Sequence, residues 1–397
     1  MEGTRLPLEL YRPIIESVDS KSALCALSRV CRMINEEANR VLYSHFASHP
    51  RGVPIRLSRP LNPPPTHPKL GCYLKSLELD VLAIAMEDQI RMSIDPDNQD
   101  PLVWSLYADL LKRCNMLVSL TLLDIPPAFP RTCPTLNLLE HVPPTIEHVS
   151  VVMFNSATSS GAIFLEFLER QPNLRSIHLD KPMQLNLVAR PLPVPLRSLR
   201  KISAFNSWDA RVLAKGCMPV NLKAMLFSMA TAFKDPQWSQ EILEHVEWIF
   251  MPYVMFPAAW DTVKPFKNIR FFGIFQFTLQ EVSLLPPSFV RMFTLTLIIQ
   301  EDEGSRVLAE LPTLESVSIM FPPGPNWNDK DCQAIQAVRT ADNVIAGHPG
   351  IRTAHMVQSS MRPTDLCILL EKDESNIGWK LSRFKEGSTI SDLWAEL

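Results

Sequence analysis

The sequence predicts an α/β repeat protein: a small three-helix unit at the N-terminus, then an irregular solenoid of strand-plus-helix repeats. Three observations predict it. Residues 1–48 carry apolar side chains at helical spacing. Residues 49–69 are dense in proline. From residue 70 a six-residue pattern, apolar-x-x-apolar-x-apolar, recurs down the chain. With 397 residues the chain exceeds the usual span of one compact core, about 100–200 residues, so two domains or a repeat array is expected. Hydrophobic residues make up 46 % and charged residues 20 %, which suits a large core and not a disordered chain.

The N-terminal segment reads as three short helices. In the first, Ile14, Ile15 and Val18 follow Leu6-Pro7-Leu8-Glu9-Leu10. Pro13 fits that helix only if the helix begins near Leu10, which leaves the ring in the first turn. Asp19 or Ser20 caps a second helix whose apolar face is Leu24, Leu27, Val30 and Cys31. A third uses Ile34, Ala38, Val41, Leu42 and Phe46. About 40 residues bury little surface, so such a unit needs a partner or a neighbouring domain. Pro50, Pro54, Pro60, Pro63, Pro64, Pro65 and Pro68 then make residues 49–69 an extended connector, because proline fixes φ and lacks a backbone donor.

The elements Leu6-Pro7-Leu8-Glu9-Leu10, Ile14-Ile15 and Leu24-x-x-Leu27-Ser28-Arg29-Val30-Cys31-Arg32 resemble an F-box. The ending Glu36-Glu37-Ala38-Asn39-Arg40-Val41-Leu42-Tyr43 is similar to the version frequent in fungal F-box proteins. Met33 and Ile34 stand where a Trp often follows the Val-Cys-Arg element. The resemblance implies docking onto the adaptor that joins F-box proteins to a cullin–RING (SCF-type) ubiquitin ligase. It implies an adaptor-facing set of Leu6, Pro7, Leu10, Ile14, Ile15, Leu24, Leu27 and Val30. The alternative is a helical cap whose apolar residues pack on the body.

In the body the pattern begins at Leu74, Leu117, Ile146, Leu174, Leu199, Leu222, Ile269, Val290 and Leu314, with a weaker copy at Ile351. Six of the eight spacings among the first nine are 21–29 residues; the others are 43 and 47. A long spacing marks an insertion or an unrecognised unit. Residues 86–101, acidic with Asp95, Asp97 and Asp100, and residues 234–265, rich in Trp and Pro, fall in them. The last two apolar positions of each copy alternate inward along a short strand. Helical stretches precede several copies, as at 110–113, 164–170 and 307–311. One strand plus one helix cannot bury its own apolar face, so stacked copies must share a core. Residues 70–325 therefore resemble a leucine-rich-repeat solenoid. The Asn that regular repeats carry three residues past the strand is replaced by Leu82, Ile125, Phe154, Pro182 and Ser207, so an irregular array is expected. Residues 326–397 form a C-terminal repeat or cap region, with a strand at 366–370 and a closing helix at 388–397.

Chemistry-bearing motifs are scarce. Gly is 12 of 397 and no GxG occurs, which excludes dinucleotide fingerprints and P-loops. His45-x-x-x-His49 lacks the Glu of a zincin, and the Asp95–Asp100 run has Pro96 inside it and no Gly. No GxSxG occurs, and no nucleophile signature surrounds a Cys. No catalytic role, cofactor or metal is expected, so the chain reads as no enzyme. The net charge of −3 gives no global basic field for nucleic acid or membrane, and the 8 Cys form no CxxC. Cys25 and Cys31 read as core thiols. With no secretory pattern at the N-terminus, a cytoplasmic or nuclear location is expected.

Binding is then the remaining function. Strand positions flanking the inward pair supply the candidate target-binding residues Glu78, Asp80, His178, Asp180, Lys201, Phe205, Phe271 and Phe275, with Thr121 and Leu123 beside them. Phe271 and Phe275 either anchor a partner or lie under the segment before them. The expected function is recruitment of a target protein to the ligase, with the helices on the adaptor and the body on the target. The alternative is a leucine-rich-repeat interaction scaffold unconnected to ubiquitin ligation.

Overall fold

The computed structural model describes residues 8–18, 20–47, 71–80, 84, 103–125, 134–153, 160–180, 182, 185, 196–229, 239–251, 266–274, 292–296, 305–306, 308–309, 311–321, 330–345, 348–358, 366–372 and 379–386. The connector at 49–69, the acidic stretch at 86–101 and the closing segment at 388–397 lie outside them. Two compact units divide the chain, Met1–Asn221 and Leu222–Leu397.

The first unit opens with α1 (Leu8–Glu16), α2 (Lys21–Leu27) and α3 (Arg32–Leu42). Ile15, Leu24 and Ala38 form the centre, with Tyr11, Val18, Leu27, Ile34, Val41 and Leu42 packed around it. Ser20 caps α2 by accepting from the Ala23 N–H. Arg40 ties α3 to α1 through Glu16 at 2.6 Å and also holds Glu37 at 2.7 Å. Three sequence expectations are corrected. Pro13 sits in the second turn of α1, not the first, where its missing N–H leaves the Glu9 carbonyl without its helical donor; Ile15 in the core and the Glu16–Arg40 pair hold the helix regardless. Cys25 and Cys31 are exposed, because Cys25 lies one step round the helix from Leu24 and Cys31 is the extended N-cap of α3. Phe46 is not helical: it lies in β1 (His45–Ala47).

β1 pairs in parallel with β2 (Ser76–Asp80), placing Phe46 beside Leu77. The Ser44 carbonyl accepts from the Lys75 and Ser76 N–H groups. The helices thus run directly into the first strand of a sheet. β3 (Ser119–Ile125), β4 (His148–Met153), β5 (Ser176–Leu179) and β6 (Lys201–Asn206) extend it, each parallel to its predecessor. Between strands lie α4 (Val103–Arg113), α5 (Ser160–Glu169) and α6 (Ser207–Lys215). The inward strand pairs, Leu77/Leu79, Leu120/Leu122, Val149/Val151, Ile177/Leu179 and Ile202/Ala204, are buried, as are Leu110 and Leu111, Phe164 and Phe167, and Leu213 on the helices. This is an α/β repeat arrangement: each strand-plus-helix unit leaves an apolar face that its neighbours cover.

The second unit contains β7 (Ala224–Met229), α7 (Gln240–His245), β8 (Trp248–Met251), β9 (Phe271–Ile274), β10 (Met292–Thr296), β11 (Ser316–Phe321), α8 (Lys330–Ile345), β12 (Thr353–Gln358), β13 (Leu366–Lys372) and β14 (Trp379–Glu386). β7 to β12 are parallel; β13 and β14 then pair antiparallel. β8 resolves the 47-residue spacing. Val246-x-x-Ile249-x-Met251 is a further copy, with Val246 and Ile249 fully buried. It divides that spacing into 24 and 23 residues. The Ile351 copy is a full member too: Ile351, just before β12, and Ala354 and Met356 on it are buried.

Side-chain amides do satisfy turn carbonyls, but one residue before each copy rather than after it. Asn173 donates to the Pro144 carbonyl at 3.1 Å and Asn221 to the Arg197 carbonyl at 2.6 Å. In the second unit Asn268 donates to the Glu244 carbonyl. Each reaches back one repeat.

Candidate functional site

Two surfaces of the first unit carry the candidate residues. On the helices, Ile15 is 2 % and Leu24 4 % exposed, so both serve the trihelical core, and Leu27 packs against it. Leu10, Ile14 and Val30 face solvent at 45, 48 and 63 % exposure, and Met33 joins them at 36 %. Val30 is not on a helical face: α2 ends at Leu27, and the turn to α3 turns Val30 outward. Leu6 and Pro7 lie outside the described residues.

On the sheet, the residues between the inward pairs are half-buried and form rows across the strands. Strand register sets these rows. One runs His45, Ser76, Ser119, His148, Ser176, Lys201. The next runs Ala47, Glu78, Thr121, Ser150, His178, Ser203. Asp80 stands opposite Leu123 one step further along. Asp180 follows β5, its N–H donating to the Val151 carbonyl at 3.0 Å. Phe205 shares the half-buried face of β6 with Lys201 and Ser203. The sequence therefore places Glu78, Thr121 and His178 in one row. Ser150 and Ser203 belong to it as well and were not singled out from sequence, because serine at an x position carries no hydropathy signal.

His178 Nδ1 and Ser203 Oγ are 2.6 Å apart, one hydrogen bond across β5 and β6. Burial lowers the His178 pKa below the ordinary imidazole value of 6.5, and Asp180 pulls it the other way. Burial also lowers the pKa of Lys201. Desolvation lowers the His148 pKa as well; Glu147 opposes the shift, and Lys201 and Arg175 add to it. The result is a sheet face of hydroxyls and imidazoles that donate and accept hydrogen bonds, suited to a polar chain laid across the strands. Phe271 opens β9 in the second unit; Phe275 lies outside the described residues.

Among the described residues no group of three or more His, Cys, Asp or Glu is placed to hold a metal ion. No helix among them is long and apolar enough to cross a membrane. His45 lies in β1 and His49 outside the described residues, as do Asp95, Asp97 and Asp100. Cys114 and Cys217 are buried, each thiol donating to the carbonyl four residues earlier, and burial pushes both up to about 12. They are packing thiols and not nucleophiles.

Among solved structures, the chain is similar to the leucine-rich repeat-containing protein LegL7 from Legionella pneumophila, at 11 % identity over 64 % of this chain and 87 % of that one, with a TM-score of 0.43. It is also similar to the structure of the Rad7 and Elc1 complex in yeast, at 11 % identity over 79 % of this chain and 87 % of that one, with a TM-score of 0.37. No family model matches the sequence, and no curated protein matches it.

Proposed function

We propose that this chain is the substrate-recruiting F-box subunit of an SCF-type cullin–RING ubiquitin ligase, with a leucine-rich-repeat body that holds the target protein. The observation that carries the reading is on the helices. The LPLEL and VCR elements frame a three-helix unit whose own core uses Ile15 and Leu24, while Leu10, Ile14 and Val30 remain apolar and exposed. An exposed apolar set beside a closed core suits a docking partner. Such a subunit makes and breaks no bond. It raises the effective concentration of a target lysine near the charged ubiquitin carrier. It works in the cytoplasm or nucleus, in keeping with the free thiols of Cys25, Cys31 and Cys72.

The test is capture of the purified adaptor by the full chain. Leu10→Asp with Ile14→Asp is expected to abolish capture, because both positions are exposed and the core is untouched. Undiminished capture overturns the assignment. One observation favours the second reading, a repeat scaffold outside ubiquitin ligation: β1 joins the helices to the sheet as an end cap would. That reading predicts no adaptor capture by the wild-type chain.

A further inference from the structure

One column of the repeat carries charge in both units. It is the residue after the first apolar position of each copy, just before the strand. In the second unit the column reads Lys223, Glu247, Arg270, Arg291, Glu315 and Arg352, and its first three charges meet. Lys223 meets Glu247 at 3.0 Å, and Arg270 meets the same Glu247 at 3.4 Å. In the first unit the column reads Lys75, Val118, Glu147, Arg175 and Arg200, each just before its strand, β2 to β6. Arg175 takes Glu147 at 3.3 Å. Arg200 then follows Arg175 in the next repeat, one inter-strand spacing of about 4.8 Å away. Like charges on neighbouring strands cost stability. The fold places them together: the Arg200 and Lys201 N–H groups both donate to the Arg175 carbonyl, at 2.8 and 3.0 Å.

Two further cations adjoin this step. Lys201 begins β6, half-buried. Arg197 is exposed two residues before the strand-leading Leu199, its carbonyl held by Asn221. Neither Arg197 nor Arg200 has an ion-pair partner among the described residues, and both side chains are exposed. Glu147 offsets Arg175, so in a chain of net charge −3 Arg197 and Arg200 leave a local excess of positive charge. It borders the hydroxyl rows of Ser176, Ser150 and Ser203.

We propose that Arg175, Arg197, Arg200 and Lys201 form the docking point for an acidic segment of a partner protein, whose carboxylates seat on the guanidinium groups while its backbone crosses the Ser and His rows. It rests on reading the repeat body as the part that holds the target. Guanidinium groups bind planar carboxylates through paired hydrogen bonds. The extended rows supply backbone partners for a chain and not a stacking platform of aromatics for bases, which argues for a peptide over single-stranded nucleic acid.

The test is fluorescence anisotropy with the full chain and a labelled octapeptide of Asp and Glu. The peptide binds, binding weakens as salt rises from 50 to 300 mM, and Arg197→Glu with Arg200→Glu weakens it on the order of tenfold. Arg270→Glu, at the arginine that meets Glu247 in the second unit, leaves binding unchanged. Thermal melts of each variant confirm a folded chain. No binding by the wild type, equal binding by the double variant, or equal binding of a Lys-rich octapeptide overturns the proposal. So does preferred binding of a single-stranded oligonucleotide or of phosphatidylserine vesicles. Adaptor capture is scored on the same samples: its loss sinks the ligase reading alone, and loss of peptide binding with capture intact sinks this docking point alone.

Discussion

Gly350 is required by distance: a Cβ there would lie 2.6 Å from the Leu314 carbonyl oxygen. The same corner holds His348, whose Nε2 donates to the Leu311 carbonyl at 3.0 Å while Nδ1 accepts from the Gly350 N–H at 3.2 Å. One side chain thereby satisfies two backbone groups of adjacent repeats, where Asn173 and Asn221 each satisfy one carbonyl of the preceding repeat. His178 gives a pH-dependent counterpart. Burial depresses its folded pKa below 6.5, the value it recovers when unfolded. Below that value the unfolded chain binds more protons than the folded one, so stability is full above pH 6.5 and is lost as pH falls through it toward the folded pKa. The groups that face it are Asp180 on its own segment, Ser203 on β6 and Ser150 on β4. The thermal midpoint is expected to fall between pH 7.5 and 5.5, and to fall less in a His178→Gln variant. Equal slopes for the two proteins would remove His178 from this account.

At the scale of elements, the six-residue pattern made the strands legible, and it did so because burial enforces it. Leu77 and Leu79 must alternate inward, whatever the residues between them. The pattern was missed at one copy whose intervening residues are large and aromatic. In Val246-Glu247-Trp248-Ile249-Phe250-Met251 the intervening positions are Trp248 and Phe250, so the alternation is hidden, and the stretch stands in the sequence as an insertion or an unrecognised unit. Register fails to show in sequence for a different reason: the rows that bring His178 to Ser203 depend on pairing between residues 25 apart. The helix ends were legible only where a cap marked them, as at Ser20; the turn that exposes Val30 has no such mark. The β8 copy has a direct test. Ile249 is fully buried, so Ile249→Ala is expected to cost about 2–5 kcal/mol in denaturant unfolding. A cost within about 0.5 kcal/mol, as for a surface loop, would show that residues 234–265 are an insertion with no core of their own.

For the molecule, docking hook and end cap need not be rival descriptions of the same helices. The trihelical core closes on Ile15, Leu24 and Ala38, while its continuation, β1, completes the sheet edge at β2 and sets the Phe46 ring 6.4 Å from that of Tyr107. The outward residues Leu10 and Ile14 take no part in that joint. The two roles therefore separate by mutation. Deleting residues 1–50 strips β1 from β2 and uncovers apolar surface, and is expected to lower the melting temperature by several degrees, since about 1 kcal/mol shifts a domain of this size by roughly 2–4 °C. Leu10→Asp with Ile14→Asp removes only exposed apolar surface, and is expected to leave the melting temperature within about 1 °C while abolishing adaptor capture. Differential scanning fluorimetry beside the capture assay reads both. If the deletion left the melting temperature unchanged, β1 would be no structural part of the sheet and the helices would hang from it as a tethered module. If the double substitution lowered it as far as the deletion does, Leu10 and Ile14 would belong to the joint and no separate hook would remain.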